Sequence, residues 1–446
     1  METMNRDSKA IKRGLVLPVI AAIALCLALL GLGMLQLAFG SRLMSTRTMS
    51  GVTARAAADA GITRALYELN HNFTMGDIPE NTPMPPDVEN QTLNNSNATF
   101  SYKVRAFTTE LPEPYWLIES IGKLGTQQKT VYATLGVRNL FDYGLIATRA
   151  LDLKAGISDL MLKPLNLVDG YDSTLGTYTE FPDTTNSYGY IRIGTPSIAP
   201  GAIELHQDTR VAGDILVGIG GDVDEVIKET PEGGSITGPW YNLPEPWYFE
   251  PITIPDCGQN LGTLNEADFT IGNTGEVTYV KYNNIIIPNS GILNILGTVY
   301  LHVIGELIIH NGAEIRVNGV PMDPLSWSSV TIYLNGNLTV NNSGLINNMT
   351  EKPQNFQLFG VGTSDQGETW RIDNSGFYYG VYYGPNAIII TANDAQFFGS
   401  IAGREFELKL GGGLHYDHDL SNMSQYDTGF GIDRLWEKSD FVIAGL

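Results

Sequence analysis

Residues 299–319 read VYLHVIGELIIHNGAEIRVNG, a stretch of short apolar runs interrupted by glycines. The runs are rich in β-branched residues and too short for helices, so they are predicted as strands. Gly305, Gly312 and Gly319 stand at the interruptions, where tight turns are expected. This stretch therefore indicates a domain built from many short strands.

The same pattern continues on both sides of this stretch. Between residues 285 and 345, strands are predicted at Ile285-Ile286-Ile287, Val299-Tyr300-Leu301, Leu307-Ile308-Ile309, Ile315-Arg316-Val317, Ile332-Tyr333-Leu334 and Leu338-Thr339-Val340. Such rungs favour a mainly β fold containing a right-handed parallel β-helix, a solenoid in which short strands coil around a narrow core. A β-sandwich is the alternative, because it also combines short strands with frequent turns.

Upstream of the solenoid, a smaller sheet is predicted. Strand-like runs occupy residues 98–106, 115–121 and 130–137. They predict a small antiparallel sheet over residues 98–140 in an α+β head. Residues 71–97 are rich in proline and lack apolar periodicity, which is typical of a linker.

The N-terminus has a different pattern. Residues 15–39 carry no charge, and about 20 apolar residues in a helix cross a bilayer core. Residues 15–40 are therefore predicted as a transmembrane helix. A cleaved secretory signal is the weaker alternative, since its apolar core has only about 7 to 15 residues. Basic residues in the leader, residues 1–14, predict a cytoplasmic N-terminus and an extracytoplasmic remainder.

The composition bears on the partners of the exported part. The formal net charge of the whole chain is −21, and the exported part is more negative still because the basic leader is not in it. Nucleic acid and anionic lipid headgroups are therefore poor partners for it. Cys26 lies in the apolar helix, and Cys257 is the only cysteine that follows it. No intrachain disulfide is therefore expected to stabilise the exported fold.

The helix is predicted to continue as an amphipathic helix over residues 41–70. Apolar residues recur at helical spacing, and the candidate packing face comprises Ala54, Ala58, Gly61, Ile62, Ala65 and Leu69. Small residues on such a face permit close approach of a second helix. Helix propensity alone is the alternative reason for the alanines.

Three motifs follow one another at the N-terminus: Lys12-Arg13-Gly14, the long apolar helix, and Ala56-Ala57-Ala58-Asp59-Ala60-Gly61-Ile62. Together they resemble the start of PilX-type minor pilins, which belong to type IV pilus and pseudopilus systems. The resemblance implies cleavage by a prepilin peptidase between Gly14 and Leu15 and packing of the helix against other pilin-like subunits. Asp59 stands where the family usually has Glu, and Val19 stands where major pilins have Glu.

Segments further along resemble a β-helical domain that often follows such N-termini. They are Phe141-Asp142-Tyr143-Gly144-Leu145, Val168-Asp169-Gly170-Tyr171-Asp172-Ser173, Gly380-Val381-Tyr382-Tyr383-Gly384-Pro385-Asn386-Ala387, Phe397-Phe398-Gly399-Ser400-Ile401 and Leu414-His415-Tyr416-Asp417. The resemblance implies a β-helical extracytoplasmic domain over residues 141–425. Residues 426–446 are predicted as a C-terminal tail or cap.

Two acidic clusters are candidate metal sites. His415, Asp417 and Asp419 would share one face of a strand, and imidazole and carboxylate groups bind transition metals. A cap at the end of the solenoid is the alternative interpretation. Calcium is the candidate cofactor for a glycine-rich segment containing Asp208, Asp214, Asp222, Asp224 and Glu225. Solvated turns are the alternative there.

Aromatic residues among prolines form another candidate site. Trp240, Trp247 and Tyr248 are candidates for stacking on a sugar ring, and burial of a loop that crosses the solenoid is the alternative. The acidic motifs of polygalacturonases, which are β-helical enzymes, do not occur in the sequence. We therefore expect no catalytic activity and, calcium apart, no cofactor.

The predicted function is that of a noncatalytic, membrane-anchored, minor pilin-like surface protein of the bacterial cell envelope. It would act in pilus or pseudopilus assembly, or in adhesion through a displayed β-helical domain. The expected partners are the lipid bilayer, other pilin-like subunits and a surface glycan or protein receptor. A tethered carbohydrate-binding or carbohydrate-cleaving β-helix and a self-associating envelope scaffold are the alternatives.

Overall fold

A computed structural model describes residues 7–73, 82–107, 115–153, 167–178, 189–206, 209–229, 235–243, 247–320, 323–363, 367–391, 394–408, 412–423 and 427–437. Strands make up 47% of the chain and follow a long apolar helix at the N-terminus, so the predicted fold class is confirmed. The chain divides into two compact units. Unit 1 comprises residues 1–72, 82–136 and 432–446, and unit 2 comprises residues 73–81 and 137–431.

Unit 1 combines one helix with a five-stranded sheet. The helix α1 spans Asp7–Asn72. The strands are β1 (Val88–Thr92), β2 (Thr99–Phe107), β3 (Tyr115–Leu124), β4 (Gln127–Asn139) and β30 (Asp427–Glu437), in the order β1-β2-β3-β4-β30. The pairs β1–β2, β2–β3 and β3–β4 are antiparallel.

Three of these strands correspond to the runs predicted for the small sheet, namely β2, β3 and β4. Two strands lie where the sequence predicts other structure. β1 falls within residues 71–97, predicted as a linker, and β30 falls within residues 426–446, predicted as a tail or cap. Residues 438–446 of that tail lie outside the described part of the chain.

Unit 2 begins with short strands that we call the N-terminal rungs. They are β5 (Leu145–Leu153), β6 (Leu167–Tyr171), β7 (Ile191–Gly194), β8 (Ile203–Leu205), β9 (Arg210–Val211), β10 (Gly213–Val217), β11 (Ile227–Glu229), β12 (Ser235–Ile236) and β13 (Trp240–Asn242). A single helical turn, α2 (Val223–Val226), lies between β10 and β11.

The C-terminal rungs follow. They are β14 (Thr263–Leu264), β15 (Asp268–Ile271), β16 (Val277–Tyr282), β17 (Asn284–Ile287), β18 (Ile292–Ile295), β19 (Thr298–Val303), β20 (Leu307–Ile309), β21 (Glu314–Val317), β22 (Ser329–Leu334), β23 (Leu338–Val340), β24 (Leu345–Asn348), β25 (Phe356–Gly360), β26 (Glu368–Ile372), β27 (Phe377–Thr391), β28 (Gln396–Leu408) and β29 (Gly413–Asp417). The strands predicted between residues 285 and 345 correspond to β17, β19, β20, β21, β22 and β23.

The rungs stack in parallel, each strand on the equivalent strand of the next rung. Val299, Leu301 and Val303 of β19, for example, pair in register with residues 330, 332 and 334 of β22. All of these side chains are buried, whereas the residues between them are partly accessible, apart from the buried Tyr333. Parallel stacking with this alternation is compatible with the predicted solenoid, and an antiparallel sandwich would pair the strands in opposite directions. The right-handed coiling of the predicted solenoid stays a prediction.

The order of the rungs in space differs from their order in the chain. β10 pairs with both β7 and β13, and β7 pairs with β5. On its other side β5 pairs with β28, a strand of the last rungs, and β6 pairs likewise with β29. We call these two pairings the seam. The N-terminal rungs therefore extend away from the seam, and the C-terminal rungs return to it.

An irregular segment connects the two sets of rungs. The described residues 247–259, which we call the strap, lie between β13 and β14. Trp247, Phe249, Ile252 and Ile254 pack against a hydrophobic cluster that contains Tyr333, Phe359 and Tyr383. These three aromatic residues lie on β22, β25 and β27, so the strap crosses several rungs of the stack.

Candidate functional site

The first half of α1 is apolar and uncovered. Every residue from 20 to 49 is exposed, and Leu37 has 76% of its surface accessible. Among the described residues, α1 is the one helix long and apolar enough to cross a membrane. Apolar surface in water is unfavourable by about 25 cal/mol per Å², so this segment requires lipid or other apolar surface around it. Gly14 and Leu15, the predicted processing site, lie within α1.

The second half of α1 packs on the sheet of unit 1. The candidate packing residues Ala54, Ala58, Ile62, Ala65 and Leu69 are at most 3% exposed. Gly61 lies so close to β3 that an added Cβ would stand 2.1 Å from Ser120 Oγ, and one at Gly122 would stand 2.0 Å from the Ala54 carbonyl oxygen. The small residues thus permit a close helix–sheet approach, and the chain's own sheet covers this face.

A network of charged side chains connects α1 to β4 and β30, the last two strands of the sheet. Arg55 donates to Asp59 at 2.9 Å and to Glu437 of β30 at 2.9 Å, and Lys129 of β4 donates to the other oxygen of Glu437. The bond from Lys129 is the main cause that lowers the pKa of Glu437, and Arg55 adds to it. Asp59 therefore has a local ionic partner.

The predicted metal residues of β29 lie at the seam. His415 is 4% exposed, and its Nδ1 lies 2.5 Å from Asp169 Oδ1 of β6, while its Nε2 lies 3.0 Å from Gln396 Oε1. Tyr178 donates to the second oxygen of Asp169 at 3.0 Å. The sequence pattern groups His415 with Asp417 and Asp419, but in the structure the imidazole of His415 has partners from β6 and β28 instead.

Asp417 has its own surroundings on the same strand. It is fully buried, and its Oδ1 accepts hydrogen bonds from the backbone N–H groups of Ser173 at 3.0 Å and Asp419 at 3.2 Å. Burial raises the pKa of Asp417 to about 6, and burial also raises the pKa of Asp419. Both contacts of Asp417 fix the backbone where the first and last rungs meet, so the residue orders the seam.

The three candidate stacking aromatics do not form one surface. Trp247 is half-buried in the strap, where its ring lies 6.4 Å from that of Tyr143 and 4.7 Å from that of Phe249. Tyr248 is 72% exposed, and Trp240 belongs to β13. The packing of Trp247 corresponds to the alternative interpretation, in which large side chains hold a crossing loop on the solenoid.

The candidate calcium residues are dispersed. Asp214 is buried, and its two oxygens accept hydrogen bonds from the hydroxyl groups of Tyr190 and Tyr241. Asp222 caps α2 by accepting from the N–H of Asp224 at 3.1 Å, whereas Glu225 is exposed. Asp208 lies outside the described residues. A helix cap and two tyrosine contacts therefore account for Asp222 and Asp214.

One buried carboxyl group lacks a partner. Glu368 is 3% exposed, and neither of its side-chain oxygens has a hydrogen-bond partner among the described residues. Burial raises its pKa to about 7. Gly362 makes room for it, because an added Cβ there would stand 1.7 Å from Glu368 Oε1. No local pattern in the sequence indicates this residue, since its environment comes from the stacking of β26 on β27.

A cluster that the sequence analysis missed lies on the N-terminal rungs. Asp152, Glu204 and His206 place one nitrogen and two oxygen atoms within 4.8 Å of one another. Strand alternation predicts that each side chain points outward, but not that β5 and β8 are neighbours. The cluster can therefore be found only if one knows that these two strands, about 50 residues apart in sequence, pair with each other. No local sequence pattern reveals that pairing.

Fold and geometry define a class: a mainly β protein with one long, uncovered apolar helix at its N-terminus, followed by an antiparallel head and stacked parallel rungs. Residues 261–423 match a family described as a domain of unknown function, DUF7305. The match begins just before β14 and ends after β29, so it covers the C-terminal rungs. It spans less than half of the chain.

No curated protein sequence matches this chain. Among solved structures, the competence-associated pilin ComZ from Thermus thermophilus is similar over 87% of this chain and 97% of that chain, with 13% sequence identity and a TM-score of 0.26. A likeness this loose defines neither the fold nor the function of this chain.

Proposed function

We propose that this protein is a pilin-like, single-pass subunit of the bacterial cell envelope, of the minor, PilX-like kind. The first half of α1 is held in the membrane or in a pilus or pseudopilus, and both β units are displayed outside. The observation that carries the proposal is the change in environment along α1. Residues 20–49 are exposed throughout, whereas the packing residues from Ala54 to Leu69 are buried in the head.

The exposed part of α1 has suitable dimensions. Residues 20–39 carry no charge, and these twenty residues at about 1.5 Å each give about 30 Å of apolar helix, which matches the about 30 Å hydrocarbon core of a bilayer. An apolar helix leaves lipid only if equal apolar surface replaces it, and a bundle of similar helices supplies that surface. The same segment is therefore suited both to a bilayer and to the interior of a filament.

The head supports the same assignment. An N-terminal helix whose second half lies on an antiparallel sheet is the arrangement expected of a pilin-like subunit. Because the small residues around Ala54 and Gly61 already pack on β3, contacts between subunits are assigned to the exposed first half of the helix. The parallel rungs are the displayed part, and we propose that they act without catalysis in adhesion to a glycan or protein or in pilus assembly.

The experiment compares the N-terminal sequence and the mass of the protein from cells with and without prepilin peptidase. A start at Leu15 that depends on the peptidase is expected. Gly14→Val should block the cleavage. Gly40→Val is the matched control, because Gly40 lies in the same helix and an added Cβ there would have no neighbouring atom within 4 Å. It should leave cleavage unchanged.

Two outcomes contradict this proposal. An N-terminus that is the same with and without the peptidase would mean that the helix is a plain membrane tether. Recovery of the full-length chain in the soluble fraction would remove the membrane assignment itself. In the first case the tethered carbohydrate-binding β-helix becomes the better hypothesis, and glycan-array binding of the purified protein tests it.

A further inference from the structure

Three side chains on the outer face of the N-terminal rungs point into one small space. Asp152 of β5 pairs in register with Glu204 of β8. The residues on either side of each, Leu151, Leu153, Ile203 and Leu205, are at most 1% exposed. Side chains alternate between the faces of a strand, so Asp152 and Glu204 project outward one above the other. His206 follows two residues after Glu204 on the same face.

The atoms of these side chains are spaced like the ligands of one ion. His206 Nε2 lies 3.1 Å from Asp152 Oδ1 and 3.7 Å from Glu204 Oε2. A transition metal bound at about 2.0–2.2 Å from nitrogen and oxygen ligands keeps neighbouring ligand atoms about 3–4 Å apart. The buried Nε2 has no hydrogen-bond partner among the described residues, so its approach to Oδ1 is close without being aligned as a hydrogen bond.

Neighbouring groups hold the three side chains in place. Lys228 of β11 donates to Glu204 Oε1 at 2.8 Å, and Glu204 Oε2 lies on the side of the histidine, 3.7 Å from its Nε2. The backbone of His206 is fixed on both sides, because its N–H donates to the Leu153 carbonyl at 3.0 Å and its carbonyl accepts from Thr209 N–H at 3.2 Å. Thr209 is itself buried and donates to the same Leu153 carbonyl.

We propose that Asp152, Glu204 and His206 form a binding site for a divalent transition-metal cation such as Zn²⁺. One imidazole and two carboxylates are a ligand set that Zn²⁺ uses, with a remaining position for a solvent or partner ligand. The imidazole distinguishes the site from a calcium site, which is built from oxygen ligands. The ion would connect β5 to β8 next to the seam, so it would stabilise the stack where the first and last rungs meet.

The test uses the full-length protein in detergent micelles, without a polyhistidine tag and after treatment with a chelator. Zn²⁺ is titrated calorimetrically, and Co²⁺ is titrated with detection of its visible absorption. We expect one equivalent of either ion to bind. Asp152→Asn and His206→Gln should each weaken binding by more than the about 10–100-fold that loss of an outer-shell partner causes.

The matched control is His310→Gln, because His310 also lies on the solenoid but contacts Asn341 instead of a carboxylate. It should bind the ion like the wild type. Thermal unfolding gives a second readout, in which Zn²⁺ raises the midpoint of the wild type and of the control but not of the two site variants.

Asp152→Asn preserves shape, so at least one variant remains interpretable if His206→Gln unfolds. Absence of saturable Zn²⁺ and Co²⁺ binding by the wild type would overturn the proposal. Equal affinity in the wild type and in both site variants would overturn it as well, because the ion would then be held elsewhere.

Discussion

His415 and Asp169 are 246 residues apart in the chain, yet His415 Nδ1 lies 2.5 Å from Asp169 Oδ1 in a buried contact between β29 and β6. This contact lies at the seam, where the last parallel rungs of unit 2 meet the first. The stack is continuous only if the N-terminal and C-terminal rungs pair at the seam. Because these strands are far apart in the chain, the stability of unit 2 depends there on long-range contacts.

His415→Ala should therefore destabilise unit 2 strongly. Removing the imidazole takes away the partner of Asp169 Oδ1, although Tyr178 still donates to Oδ2. A buried carboxylate that loses a hydrogen-bond partner in this way typically costs about 3 kcal/mol. Chemical denaturation of the full-length protein in detergent measures the change. His310→Ala is the control, since His310 is only half-buried, and we expect a loss of about 1 kcal/mol or less there. Equal losses in the two variants would contradict a special role for the seam.

The unpartnered Glu368 predicts a pH-dependent stability. Its pKa is raised from 4.5 to about 7, so between these values the folded state binds a proton that the unfolded state has lost. The stability of the wild type therefore falls as pH rises through this window, and the full loss is present above it. Glu368→Gln removes the charge and should stabilise the protein by about 3 kcal/mol at pH 8.

The same substitution should have almost no effect at pH 4, where the carboxyl group is protonated in both states. Denaturation curves at several pH values measure the difference. Glu266→Gln is the matched control, because Glu266 is exposed on the C-terminal rungs. A stabilisation by Glu368→Gln that is the same at pH 4 and pH 8 would show that burial of the charge is not its cause.

The close approach of α1 to β3 predicts that Gly122→Ala is destabilising. The new methyl group would overlap the Ala54 carbonyl oxygen and the Ala58 nitrogen, both of which are backbone atoms. Overpacking of this kind typically costs about 1–3 kcal/mol. Gly51→Ala is the control within α1, because no atom lies within 4 Å of the added Cβ, and it should be neutral or stabilise the helix by about 0.5–1 kcal/mol.

Thermal unfolding of the full-length protein compares these two glycine variants. A Gly122→Ala variant as stable as the wild type would mean that helix and sheet are not held at this distance.

The strap predicts a local effect of Phe249→Ala. The Phe249 ring lies 5.2 Å from that of Tyr383, and the Tyr383 hydroxyl donates to the Glu250 carbonyl at 2.8 Å. Truncating this half-buried ring should weaken the attachment of the strap by about 2 kcal/mol, roughly half the cost at a core position. Hydrogen exchange of the amides of residues 247–257 should then accelerate, while the rungs stay protected.

Tyr248→Ala is the neighbouring control for the strap. Its side chain is 72% exposed, so exchange should remain as in the wild type. If both substitutions accelerate exchange equally, the strap is held by its backbone and not by the Phe249 ring. If neither does, the aromatic cluster is not what fixes it.

The local patterns of the sequence determined the elements of this protein. The run of apolar residues after the basic leader has the length and hydropathy of a membrane helix, and these depend on composition alone. The strands around Val299 and Leu307 were predicted because alternation of apolar residues and interruption by glycine are properties of neighbouring residues. The fold class follows from such signals without any knowledge of distant contacts.

Only the tertiary structure decided which strands are neighbours. Alternation says that Asp152 faces outward, but the register that places it beside Glu204 depends on pairing across the chain. For the same reason the sequence groups His415 with its neighbours Asp417 and Asp419, although its ring nitrogen Nδ1 lies against Asp169. The backbone hydrogen bonds between rungs are alike at every level of the stack, so they do not select which rung lies beside which. The order of the rungs in space therefore depends on long-range side-chain packing at the seam and beneath the strap, which no local pattern encodes.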